Sequence, residues 1–199
     1  MANSNPNSSH PLLTNVLLSS APHPSLAKPL TTAFGKLIGS WDLTMKRYPS
    51  SGSQEEPLVL EGEWHFGWVL NGLAIQDVWI VPKRSIPHPN TTANSMFWTA
   101  GSGEDFLEYG TTIRFFVPGS GEREDVYRAV WAGPKQGKSY LFTAKTTGGE
   151  LEMLTKEGES DMKWCLTGIG DESFEWREWL CGDGGEWWVR EEFSCRRMK

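Results

Sequence analysis

From Ser40 onward the chain alternates apolar and polar residues in short runs punctuated by Gly, Pro, Asn and Asp. Period-two alternation over four to ten residues predicts β-strands with two chemically different faces. SWDLTMKRYP (40–49) predicts the first strand, and SSGSQEEP (50–57) a polar loop. VLEGEWHFGWVL (59–70) and LAIQDVWIVP (73–82) predict two strands joined at Asn71-Gly72, a pair that tolerates positive φ. PKRSIPHPNTT reads as a loop, because its prolines withhold ladder donors. SMFWTA, LEYGTTIRFFVP and DVYRAVWAG predict three more strands. SYLFTAKTT and ELEMLTKEG predict a hairpin around Gly148-Gly149, and MKWCLTGIG, SFEWREWLCG and GEWWVREEFSCRR complete the set. The count is about ten.

Only one stretch has helical spacing. Leu26, Leu30, Phe34 and Leu37 recur at three to four residues, and Pro29 favours a short helix beginning near it. Gly39 ends it. Residues 1–23 are rich in Ser, Asn and Pro and predict a flexible arm; 24–199 predict one barrel domain. Many short strands without alternating helices favour an all-β antiparallel barrel, in which closure removes exposed edges.

Composition sharpens this picture. Eleven of 199 residues are Trp, spread through the strands. Such a barrel would hold an apolar small molecule in an aromatic interior. Net charge is −6, with Arg and Lys interspersed among Glu, which argues against a nucleic-acid surface. No run is long enough for a membrane-spanning helix, and the first 26 residues lack the basic region of a signal peptide, so a cytoplasmic protein is expected. Cys165, Cys181 and Cys195 read as free thiols. His-x-His, paired-Cys and phosphate-loop motifs are missing, so no metal and no cofactor is expected.

Gly39-Ser40-Trp41 resembles the opening Gly-x-Trp signature of lipocalin-like barrels. With GEWHFGWVLNGLAIQDVW, EYGTTIRFFVP, YRAVWAGP and FEWREWLCGDGGEWWVREEFSCRR, residues 35–197 resemble an uncharacterised lipocalin-like, calycin-type family of unknown function. The resemblance implies an antiparallel barrel with an internal cavity, closed at one end by Trp41. It implies no catalytic residue.

Candidate residues follow from strand parity, with the inward phase left open. Arg114 and Arg177 lie in aromatic-rich strands and are expected as polar anchors for an oxygenated ligand, or as members of Arg–Glu pairs, Glu192 among the partners. His65 is the histidine set in a strand, a candidate proton shuttle oriented by Glu63 or Asp77, with Tyr109 as a donor to a carbonyl. Trp68, Gln76, Trp79, Phe116, Trp131, Trp179, Trp188 and Glu192 are candidate wall residues. The leading expectation is binding of a hydrophobic, partly oxygenated small molecule. The alternatives are a cofactor-independent isomerase or cyclase of secondary metabolism, and a structural or homodimerising module.

Overall fold

The computed structural model describes residues 17–84, 108–120, 125–155, 162–182 and 184–199. The predicted strand SMFWTA lies outside these residues. A two-residue strand β1 (Leu18–Ser19) precedes helix α1 (Ala27–Phe34), which is flanked by the 3-10 turns Pro24–Leu26 and Gly35–Leu37. Ten longer strands follow among the described residues: β2 (Gly39–Arg47), β3 (Leu58–Val69), β4 (Ala74–Val81), β5 (Glu108–Val117) and β6 (Val126–Gly133). The rest are β7 (Lys138–Thr147), β8 (Glu150–Thr155), β9 (Met162–Thr167), β10 (Ser173–Cys181) and β11 (Trp187–Arg197).

Each strand from β4 to β11 pairs antiparallel with its sequence neighbour, β11 pairs with β2, and β2 with β3. β3 also pairs with β4, closing the ring. The architecture is therefore a closed antiparallel barrel of ten strands, as the alternating pattern predicts. β3 can serve three partners because it is long. Leu58–Phe66 face β2, Glu63–Val69 face β4, and Trp68 and Val69 pick up β1 where β2 has ended. The turn between β3 and β4 contains the predicted Asn71 and Gly72, at φ 57° and 75°, with Leu70 also at positive φ.

Alternation delivers one face of every strand to the interior. Trp41, Leu43 and Met45 of β2 and Trp64, Phe66 and Trp68 of β3 are buried. Trp79 and Trp131 join them, as do Trp164, Trp176 and Phe193. The rings meet mainly edge-to-face or tilted: Trp64–Trp79 at 5.3 Å and 84°, Trp164–Trp176 at 5.4 Å and 72°. Such pairs add about 0.5–1.5 kcal/mol each beyond area burial.

Helix α1 covers one end. Leu30, Ala33 and Phe34, with Leu37 of the following turn, form the i, i+3, i+4, i+7 stripe and are buried against the barrel core. Pro29 is the third helical residue, where a missing N–H costs no intrahelical bond. Tyr127 Oη donates to Pro29 O at 3.0 Å, and Trp41 Nε1 to Leu37 O at 2.7 Å. Arg197 lies over the Trp41 ring at 4.1 Å and donates to Ile38 O and Lys36 O. Trp41 is thus part of the sealed end.

Candidate functional site

Three levels can be followed down the barrel interior. Beneath the helix, Arg114 Nη1 donates to Asp77 Oδ2, both side chains fully buried. Asp77 Oδ1 also accepts from the Thr112 amide at 3.2 Å. Complete burial pushes the Arg114 guanidinium down to about 9, so it remains a cation at neutral pH. Its Nε and Nη2 have no partner, and the guanidinium carbon sits 5.7 Å from the Phe66 ring centre. The middle level is the tryptophan cluster.

At the far end from the helix is a cavity of about 460 Å³. Its floor is Trp79, Trp131, Trp164 and Trp176, with Tyr140 stacked on Trp131 at 5.2 Å and 11°. Its charged lining includes Arg47, Glu108, Glu178, Arg190 and Glu191, with Glu56 and Lys138 also at the cavity. Register explains the gathering. Glu178 and Glu191 face each other across β10 and β11, two residues beyond the facing pair Trp176 and Phe193. Glu191 also faces Arg47, which continues the inward row Trp41, Leu43, Met45. Arg190 is the extra residue of a bulge: Glu178 pairs with Glu191, but Trp179 pairs with Val189. A bulge of this kind re-aims a side chain, here into the cavity beside Glu191.

The charges are closely coupled. Arg47 donates to Glu191 Oε2 from Nη2 at 2.9 Å and Nε at 3.1 Å, and from Nη2 to Glu108. Arg190 Nε donates to Glu178, and Trp164 Nε1 donates to Glu178 Oε1 at 3.1 Å. Burial pulls the Arg47 guanidinium down, but the Glu191 and Glu108 carboxylates more than offset this and hold it above its usual range. Burial first, then the charges of Glu108 and Glu178, push the Glu191 carboxyl up to about 8 against the opposing pull of Arg47. Glu191 is 2 % exposed, and its Oε1 has no partner.

The floor also carries unused donors. The indole N–H groups of Trp79, Trp131 and Trp176 are buried without a partner. Two of them approach the same residue: a side chain on Gly110 would meet Trp131 Nε1 at 2.9 Å and Trp79 Nε1 at 3.1 Å. Gly110 faces Trp79 across β4 and β5 and lets both rings lie flush against the wall. Gly110→Ala is expected to lower stability by about 1–3 kcal/mol through overpacking. Urea unfolding followed by tryptophan fluorescence checks this, and an unchanged midpoint would show that the rings yield freely.

The residues expected from sequence divide by face. Trp68, Trp79, Arg114 and Trp131 are inward and buried, and Phe116 packs partly buried against the core and Tyr127. Of these only Trp79 and Trp131 line the cavity. Trp188 is half-buried opposite Leu180, beyond the bulge. The other candidates point outward, which corrects their expected place in a common chamber. His65 alternates with the buried Trp64 and Phe66, so its ring lies on the outer wall, Nδ1 2.9 Å from Ser40 Oγ and Nε2 3.1 Å from Glu63 Oε2. Glu63 does orient His65, but outside the barrel. Tyr109 is half exposed, and Gln76 donates to Thr111 Oγ1 at 3.0 Å on the outer face. Arg177 Nε donates to Glu192 Oε2 at 3.3 Å, the pairing weighed from sequence, and Glu192 also accepts from Tyr48 Oη. Trp179 lies outside under Lys163 at 5.5 Å. Sequence reasoning missed Arg47, Glu108, Glu178, Arg190 and Glu191 as a group. The legible signal was a charged residue continuing an apolar alternate row, as in Trp41-x-Leu43-x-Met45-x-Arg47 and Trp176-x-Glu178.

All three cysteines are free thiols. Among the described residues no three His, Cys, Asp or Glu side chains are placed to hold a metal ion, and no helix is long and apolar enough to cross a membrane.

No protein-family model and no curated protein matches the chain. Among solved structures, Rv2717c from M. tuberculosis superposes with a TM-score of 0.50 at 14% sequence identity, covering 89% of this chain and 99% of that one. The likeness is one of fold. The barrel is consistent with a calycin-type architecture, and the chemistry must be argued from the site itself.

Proposed function

We propose that the barrel binds a hydrophobic, partly oxygenated small molecule in the cavity opposite the helix. The observation that carries this reading is one chamber combining an aromatic floor with a charged wall. Its volume of about 460 Å³ lies within the range of small-molecule sites. Trp79, Trp131 and Trp176 line the cavity and supply an aromatic surface to a planar body. Arg47, Arg190 and the three glutamates supply orientation at the wall.

The test is mass spectrometry of small molecules extracted from protein purified from its native host, paired with a fluorescence titration of the recovered compound. The expected result is a stoichiometric compound that quenches tryptophan emission. Trp131→Leu, which removes the stacking partner of Tyr140, is expected to weaken binding about tenfold, or about 1.4 kcal/mol. Protein that yields no compound, or equal affinity in the variant, would count against this chamber as the site.

A further inference from the structure

We infer that the molecule held in this cavity is an aromatic carboxylate, its ring body against the aromatic floor and its carboxylate between Arg190 and Lys138 at the rim. The inference rests on the binding reading above and adds the charge class of the ligand. It begins from how the charges around the cavity are spent. Glu178 and Glu191 are each 2 % exposed and offer almost no surface. Arg47 spends Nε and Nη2 on Glu191 and Glu108. The groups left open are mostly cationic. The Arg190 side chain is 43 % exposed, and among the described residues its hydrogen bond is made from Nε, to Glu178. Glu178 is itself fixed by Trp164 Nε1 at 3.1 Å. A buried carboxylate that grips Nε leaves the opposite edge of the guanidinium, Nη1 and Nη2, for a second partner. That edge matches the two oxygens of a carboxylate. Lys138 is exposed, lines the same cavity and makes no ion pair among the described residues.

The wall beneath these cations is graded for such a ligand. The inward row of β7 runs Phe142, Tyr140, Lys138 from core to rim: buried, half-buried, exposed. Tyr140 stacks on Trp131 at 5.2 Å. Lys138 follows two residues later in that row, about 7 Å along the strand. A ring system laid against the Tyr140–Trp131 pair therefore carries a terminal carboxylate outward to Lys138. The bulge in β11 brings Arg190 to the same cavity. At the rim the carboxylate keeps part of its hydration, so the cost of desolvating a charge stays small. An organic cation fits less well. Glu178 and Glu191, which would receive it, are sealed in contacts with Arg190 and Arg47, and Glu56 is the exposed carboxylate that remains at the cavity.

The probes are 2-naphthoate, 2-naphthamide and 2-naphthylmethylammonium, which share one ring body and differ in charge. Binding is measured by isothermal titration calorimetry. The naphthoate is expected to bind about tenfold tighter than the neutral amide, and the ammonium weaker than both. Raising the salt to about 0.5 M is expected to narrow the preference for naphthoate and to leave the amide unaffected. Arg190→Gln is expected to bring the naphthoate-to-amide ratio close to one. Lys138→Gln is expected to lower it about threefold, and this variant removes an exposed side chain without an ion-pair partner, so it decides if Arg190→Gln fails to fold. Equal binding of naphthoate and amide, tighter binding of the ammonium, or an undiminished ratio in Lys138→Gln overturns the carboxylate assignment and leaves the binding reading standing. Binding of none of the three overturns both.

Discussion

Replacing Asp77 with alanine is expected to destabilise the barrel by about 3–5 kcal/mol, among the largest effects of any single substitution in this chain. Arg114 lies wholly inside, and among the described residues its one ionic contact is Asp77. Without that carboxylate the cation keeps, among the described residues, the Phe66 ring, and two of its nitrogens already lack hydrogen-bond partners. The Thr112 amide would lose its acceptor as well. The double variant Asp77→Leu/Arg114→Met separates an uncompensated charge from a disrupted shape. It is expected to recover most of the loss, because an apolar pair of similar volume often replaces a buried ion pair at no cost. Urea denaturation of the wild type, the single and the double variants provides the comparison. A single-variant loss under about 1 kcal/mol would show that water or a shifted side chain compensates Arg114.

The second large effect is a dependence of stability on pH that originates at Glu191. Its carboxyl is raised in the fold to about 8, from an ordinary value of 4.5. Between these two values the folded protein holds a proton that the unfolded chain releases. The stabilisation is complete below pH 4.5 and is lost as pH rises through 8. A shift of this size corresponds to on the order of 5 kcal/mol at most, spread over a group that titrates together with its neighbours. Glu63 on the outer wall is shifted the other way, so its contribution is lost below pH 4.5, outside this window. Glu191→Gln, which stays neutral, is expected to flatten the slope and to be the more stable protein at pH 9. Chemical denaturation at pH 5, 7 and 9 measures both curves. Parallel curves would place the titration elsewhere.

Much of the barrel was legible because period-two alternation is local. Trp41-x-Leu43-x-Met45 and Trp64-x-Phe66-x-Trp68 declare strands with one heavily apolar face, and Asn71-Gly72 declares the turn after β3. The helix was legible from Leu30, Phe34 and Leu37. The phase of the chemistry was harder to read. Glu178 and Arg177 are adjacent in one strand, and only register shows that Glu178 faces Glu191 inside while Arg177 meets Glu192 outside. The bulge at Arg190 breaks strict alternation, so parity alone groups Arg190 with Trp188 and Glu192 rather than beside Glu191. No local pattern announces such an insertion. Arg114 stood out in the sequence as an anchor, but its pairing with Asp77 depends on the register between β4 and β5.

Helix α1 and the Arg197–Trp41 contact seal one end of the barrel, and the tryptophan floor stands between that end and the cavity, which has a kinetic consequence. A vessel without a rear exit cannot be swept through. Among the described residues, whatever leaves the cavity does so at the end that Arg47, Arg190 and their glutamates line, and no second molecule can push it out from behind. Occupancy time is then set at the charged wall rather than by the depth of the aromatic floor. Loosening the Arg190–Glu178 contact would quicken turnover of the contents without altering what the floor prefers.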